Sequence, residues 1–289
     1  MNQVIEKVAQ PRMVEAQLSY CGHMDYKPQI GVRTKLKDGS VESDADRANR
    51  DLKIEPRSVS IRDGSSVPTM TDLDREGFIF THHPSIMEHR PDETSDFHNE
   101  DKIVQVHFLE VRALLKELTG ADVVEFPFTR GSVRSSAPGA PQGPAPFPHI
   151  DFSEAGAVNT VDRIYPDRPK DVRRWAIIQL WRCLSPDAPV DRPLALLDAQ
   201  SVKPEDCVRI DVQFDTHVGM NEVFFMKYSP DHRWTYFSEM KLNDLLIFKS
   251  YDSDPGRNFP AAHVSFQETL PDAHIRMSYE LRAYVGWYE

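Results

Sequence analysis

The chain has 289 residues, enough to bury a core in one large domain or in one domain with extensions. Its 40% hydrophobic and 10% aromatic residues exclude a disordered chain, and a formal net charge of -11 excludes a binder of nucleic acid, whose phosphates need a basic surface. Cys21, Cys183 and Cys207 are far apart, odd in number and without a C-x-x-C spacing, which excludes a disulfide scaffold and a structural zinc site and points to a reducing compartment.

Residues 1–7 lack the basic start and apolar run of a secretory signal, and no apolar stretch is long enough to cross a bilayer. A cytoplasmic protein without membrane contact is expected. Along the chain, residues 14–20, 57–61 and 77–81 read as short strands, and the charged stretch 38–51 as an exposed loop or short helix. Residues 101–118 carry Ile103, Val106, Leu109, Leu114 and Leu118 near helical spacing, and Gly120 ends that helix. Residues 123–128 read as a strand. The run 132–148 is rich in Pro, Gly, Ala and Ser; its prolines remove donors and fix the backbone, so it is expected to form an irregular loop over a site rather than a regular element. From residue 174 onward the pattern is β throughout. Strands are expected at 175–183, 194–197, 208–214, 222–228, 234–238, 245–249, 263–267 and 276–287, with turns between them at Pro186-Asp187, Ser229-Pro230-Asp231, 252–256 and Pro271-Asp272. Many short strands after one helix predict a mainly β fold with packing helices (α+β), a jelly roll or sandwich.

The most informative motif is His149-Ile-Asp151, directly after the Pro-rich run. On a strand, side chains alternate, so His149 and Asp151 share one face while Ile150 and Phe152 turn into the packing. With one more distant histidine the pair makes the 2-His-1-carboxylate triad of non-haem Fe(II) oxygenases. An enzyme of that kind that uses 2-oxoglutarate also needs a cation for the far carboxylate, and the planar fork of arginine fits it best. His263 meets both needs. It stands in Pro260-Ala-Ala-His-Val-Ser-Phe266, and thirteen residues later comes Arg276-Met-Ser278, whose Arg and Ser share a strand face. His217 and His232 have no such pair downstream, and His274 lies too close to Arg276 to leave a turn between strands.

Taken together these parts resemble the hydroxylase/desaturase-like Fe(II)/2-oxoglutarate oxygenases of natural-product pathways. The marks are the run 14–20 (VEAQLSY), Leu118-Thr-Gly-Ala121, His149-Ile-Asp151, Gln179-Leu-Trp-Arg182, Pro193-Leu-Ala-Leu-Leu-Asp198, His232-Arg-Trp-Thr-Tyr236, Phe248-Lys-Ser-Tyr-Asp-Ser253, His263-Val-Ser-Phe266 and Arg276-Met-Ser-Tyr-Glu-Leu-Arg282. The departures, at residues 127–130, Gln179, Cys183 and Val264, touch none of the expected ligands.

The resemblance implies a double-stranded β-helix (jelly roll, cupin-like) core over 123–289, with 1–122 a β and helical extension of the same single domain. It implies His149, Asp151 and His263 as iron ligands, Arg276 with Ser278 as the 2-oxoglutarate clamp, Arg282 as the second choice for that clamp, and Gln179 beside the co-substrate. Trp181, Arg130 and Phe147 are expected to face the substrate. The implied chemistry uses Fe(II), 2-oxoglutarate and O2 to hydroxylate, desaturate or cyclise a small molecule, releasing succinate. A homodimer is the default assembly. Two other readings stay open at this point: a zinc-dependent hydrolase using the same three ligands, and a non-catalytic cupin-like small-molecule-binding module.

Overall fold

A computed structural model of the chain describes residues 11–30, 52–66, 71–90, 92, 94–213, 220–270 and 272–289. The charged stretch 38–51, Phe214, His217 and Pro271 lie outside the described residues. In chain order the elements are β1 (Met13–Cys21), β2 (Gln29–Ile30), β3 (Ile54–Asp63), β4 (Phe78–His82), α1 (Phe108–Thr119), β5 (Val123–Glu125), β6 (Ser132–Ser135), β7 (His149–Ile150) and α2 (Glu154–Ile164). They continue as β8 (Arg174–Cys183), β9 (Leu194–Leu197), β10 (Cys207–Gln213), β11 (Met220–Met226), β12 (Trp234–Tyr236), β13 (Asp244–Asp252), β14 (His263–Ser265) and β15 (Met277–Trp287).

Among the described residues the strands form two sheets. The nine-stranded sheet has the order β1-β3-β12-β9-β14-β7-β11-β10-β2; the six-stranded sheet runs β4-β13-β8-β15-β5, with β6 also paired to β15. The sheets meet through a cluster in which Trp181, Cys183, Leu246 and Phe248 of one face Leu194 and Leu196 of the other. This is the expected double-stranded β-helix, built of two packed layers around a shared interior.

The six-stranded sheet sorts its residues by the period-2 rule. Ile178 and Leu180 of β8, and Leu281, Ala283 and Val285 of β15, pack outward against Val111, Leu114 and Leu115 of α1. Their neighbours Gln179, Trp181, Ser278, Glu280 and Arg282 face the other way, into the space between the sheets.

The α1 helix is the last part of a longer helical run. It begins with one turn at Glu100–Lys102 and widens to a π turn at Ile103–His107, before Gly120 caps it at φ 65°. The left-handed backbone there suits glycine, which has no Cβ to clash. The π turn adds a residue and rotates the apolar stripe. The buried face is therefore Ile103, His107, Val111, Leu114 and Leu115, while Leu109 and Leu118, expected on that face, are exposed.

Other expectations are corrected as well. Residues 132–135 are strand β6, because the prolines that forbid regular structure begin only at Pro138. Helix α2 was not anticipated. Ser153 caps it by accepting from the Gly156 amide, but its buried face is Gly156, Ala157, Thr160 and Val161, too small and too polar to show a clear apolar stripe. Gly156 sits where any Cβ would strike the Glu222 carbonyl, so α2 lies close against β11. The strand holding His149 has two residues, and Asp151 follows in the bend after it.

Candidate active site

His149 on β7 and His263 on β14 are paired directly across the nine-stranded sheet, and their rings lie 4.3 Å apart between centroids. Asp151 follows two residues after His149. The ligand atoms of the three side chains all lie within 4.8 Å of one another.

Hydrogen bonds fix which atoms remain free. Nδ1–H of His149 donates to the Phe147 carbonyl at 2.7 Å, and Nδ1–H of His263 donates to the Ala261 carbonyl over a longer 3.4 Å. A carbonyl only accepts, so each Nδ1 holds the proton and each Nε2 keeps its lone pair. Asp151 is divided in the same way. Its Oδ2 accepts from Gln179 Nε2 at 2.6 Å and from Arg282 at 2.5 and 3.1 Å, while Oδ1 turns to His149 Nε2 at 3.2 Å. Two imidazole nitrogens and one carboxylate oxygen thus converge, with His149 Nε2 and Asp151 Oδ1 facing each other. This donor set fits a divalent metal that binds N and O on one face and leaves other positions open.

The electrostatics favour the metal-binding form of His263 and Asp151, whereas the pairing of His149 with Asp151 favours a proton that a bound cation would displace. Burial, and then the neighbouring His149, push His263 down to about 4, so it is neutral at neutral pH. Burial opposes charge on Asp151, but Arg282 first and then His149 hold its carboxyl well below the usual range. For His149, burial is outweighed by the hydrogen bond and charge of Asp151, which raise it.

Arg276 and Arg282 differ in what they hold. Arg282 is spent on Asp151 and on Glu280, at 2.7 Å, so it is a brace for the carboxylate ligand and not a free clamp. Arg276 is 2% exposed and donates to Ser278 Oγ at 2.9 and 3.1 Å and to the Arg192 carbonyl at 3.1 Å. Its guanidinium lies over the Trp181 ring at 5.1 Å. No carboxylate among the described residues forms an ion pair with it. Burial, and then the like charge of Arg134, push it down to about 10. A buried guanidinium without a counter-ion is costly unless an anion joins it.

Two expected substrate residues lie elsewhere. Arg130 is exposed and pairs with Glu100 at 3.1 Å, on the helical run outside the sheet. Phe147 is buried behind β7 against Phe225, Ile210 and Val223, where it orients His149 through its carbonyl. Trp181 does line the site, with Arg134, Ala145, Leu194, Phe248 and Glu280. Of these, Glu280 was legible from its period-2 place between Ser278 and Arg282. Arg134 was hidden by the assumption that 132–148 has no regular structure. Ser250, which receives the second N–H of Gln179 at 2.7 Å, gave no signal.

A jelly roll carrying two histidines, one aspartate and a buried arginine without an ion-pair partner defines a candidate mononuclear metal site with a place for an anion beside it. Comparison with known proteins agrees. Residues 24–286 match the family described as an oxidoreductase/YMDC permease-like domain. The alpha-ketoglutarate-dependent dioxygenase tstK of Talaromyces stipitatus is 31% identical over 75% of this chain and 79% of its own length. The Fe(II)/2-oxoglutarate-dependent dioxygenase nvfI of Aspergillus novofumigatus is 28% identical over 80% and 83%. The hydroxylase/desaturase CTB9 of Cercospora beticola is 28% identical over 81% and 78%. A solved structure of the iron and alpha-ketoglutarate-dependent endoperoxidase NvfI superposes with a TM-score of 0.78 at 21% identity, over 96% of this chain and 99% of that one, which shows the shared fold. The chain belongs to this oxidoreductase family and, with its relatives, to the Fe(II)/2-oxoglutarate-dependent dioxygenases. Among the described residues no helix is long and apolar enough to cross a membrane.

Proposed function

We propose that this protein is an Fe(II)/2-oxoglutarate-dependent oxygenase that hydroxylates, desaturates or cyclises a small molecule of natural-product metabolism. His149 Nε2, His263 Nε2 and Asp151 Oδ1 would hold the iron. When bound, Fe(II) with 2-oxoglutarate supplies the activation of O2, with release of succinate and carbon dioxide. The protein's own work is positioning. Arg282 and Gln179 fix the Asp151 carboxylate so that one oxygen faces the metal. The Phe147 and Ala261 carbonyls fix the imidazoles. Arg276, steadied by Ser278 and the Trp181 ring, would take the far carboxylate of 2-oxoglutarate. Leu194, Phe248, Trp181 and Ala145 keep the surroundings apolar and exclude water.

The observation that carries this reading is Arg276, a buried cation with no carboxylate partner, beside three converging ligands. A zinc hydrolase or a binding module would give Arg276 and Ser278 no role. The test is spectroscopic. Fe(II) and 2-oxoglutarate added without oxygen should produce a visible metal-to-ligand charge-transfer band, which His149→Ala and His263→Ala abolish. A band absent from the unmodified protein, or unchanged in both variants, overturns the reading.

The same reading takes residues 1–289 as one oxygenase domain in a cytoplasmic homodimer. In its support, β1 and β3 lie in the same sheet as β7 and β14, and Cys21, Cys183 and Cys207 are all free thiols, as a reducing compartment keeps them. Sedimentation equilibrium would test the dimer; a monomer at micromolar concentration would count against it.

A further inference from the structure

We propose that Arg134 is a positioning residue that straps segment 136–148 over the metal site and tightens when a dicarboxylate co-substrate joins Arg276. This rests on the oxygenase reading above and adds a residue that neither binds iron nor clamps the co-substrate directly.

The geometry begins with register. Arg134 of β6 lies directly opposite Ser278 of β15, so it shares the inward face with Ser278, Glu280 and Arg282. Its Nε reaches Glu280 Oε2 at 3.3 Å. Its Nη1 donates to the Gly143 carbonyl at 3.0 Å, in the Pro-rich segment nine residues further on. One side chain therefore ties the outer segment to a carboxylate inside the site.

Two of the segment's other anchors land on Arg276 and on Ser265 near the candidate ligand His263, and Ser136 Oγ also donates to Asp191 at 2.7 Å. Ser136 and Arg276 exchange bonds: the Ser136 amide donates to the Arg276 carbonyl, and the Arg276 amide donates to Ser136 Oγ. The Ser265 amide, two residues after His263, donates to the Ala145 carbonyl at 2.9 Å. The Ser135 amide closes the base of the segment on the Gln142 carbonyl at 3.0 Å. Between these points the backbone of 137–144 has few internal bonds, so Arg134 is the side chain that holds its middle.

The charges make this strap responsive. Arg134, Arg276 and Arg282 line the site together with Asp151 and Glu280, so three guanidiniums face two carboxylates. Glu280 is shared between Arg134 and Arg282, and Arg276 has no carboxylate of its own. Arg134 and Arg276 are near enough to repel. An anion brought to Arg276 removes that repulsion and attracts Arg134 toward the interior, which draws Gly143 with it. The site would then be closed only when the co-substrate is present.

The test uses amide hydrogen exchange and the charge-transfer band on the full chain under nitrogen. In the unmodified protein, Fe(II) with 2-oxoglutarate should slow exchange of the Ser135 and Ala140 amides by about tenfold relative to Fe(II) alone. Arg134→Gln should abolish that slowing while the band still forms, with 2-oxoglutarate affinity lowered by no more than about tenfold. Arg134→Lys, which keeps the charge but not the fork, should restore part of the slowing. Slowing that persists in Arg134→Gln, or a band that forms in the unmodified protein without slowing, overturns the strap alone. A band that never forms overturns the oxygenase reading and the strap with it.

Discussion

The two faces of strand β15 are one residue apart and chemically opposite. Leu281, Ala283 and Val285 lie on α1 in an apolar layer, whereas Ser278, Glu280 and Arg282 point between the sheets. In most β-sandwiches the space between sheets is the apolar core. Here the six-stranded sheet carries a second apolar layer on its outer face, where α1 covers it, and the interior holds charged residues beside the apolar cluster of Trp181, Phe248, Leu194 and Leu196. On β15 the division separates packing from chemistry: the helix side holds the sheet, and the interior side carries Arg282, which holds Asp151. Substitutions on the two faces should therefore fail in different assays.

The largest effects belong to the interior. Asp151→Ala or His263→Ala removes a ligand and should abolish iron binding and the charge-transfer band, a greater loss than the 10- to 100-fold expected from a supporting partner. Arg282→Gln, which takes away such a partner, should fall within that 10- to 100-fold range in iron affinity. Arg276→Ala should weaken 2-oxoglutarate binding by about 2–5 kcal/mol while equilibrium iron binding is kept, because only the far clamp is lost. Equal loss of both would remove Arg276 from its assigned role. On the opposite face, Leu115→Ala should cost about 2–5 kcal/mol in denaturant unfolding yet leave the band of the folded protein unchanged. A weakened band in that variant would show that the faces are not independent.

The smallest expected effect is a pH dependence away from the site. Glu110 on α1 accepts from Ser85 Oγ and the Ile86 amide at 2.7 and 2.9 Å. Burial opposes its charge, but the hydrogen bonds of His107, Ile86 and Ser85 outweigh it and hold the carboxyl down to about 2. The folded state then binds fewer protons than the unfolded one, so this stabilisation is present above about pH 4.5 and is lost as pH falls toward 2. After solvent screening it is about 1 kcal/mol. Glu110→Gln should flatten the stability profile in that window, as read by urea midpoints across pH.

Local pattern carried much of this. The His149-Ile-Asp151 and Arg276–Ser278 pairs were read as alternation along strands; the structure brings them together with His263, although Asp151 lies in the bend after β7 and Arg276 just before β15. The strand at 194–197 matches β9 residue for residue. Patterns failed where the signal was short or shifted. The π turn moved the buried stripe off Leu109, α2 buries residues too small to mark a face, and β6 was masked by the prolines after it.

The sequence by itself determined which side chains share a face, because that follows from covalent geometry and a fixed period. With the order of the motifs and the family resemblance, it made the fold class and the candidate ligand trio legible. Only the tertiary structure decided which arginine is free. Arg276 and Arg282 lie on the same face of neighbouring sequence, and no local rule separates them. Register across β8 and β15 places Arg282 opposite Gln179 and against Asp151, while the Arg276 guanidinium forms no ion pair with any described carboxylate. Partner choice across a sheet depends on long-range packing, which one strand's sequence does not encode.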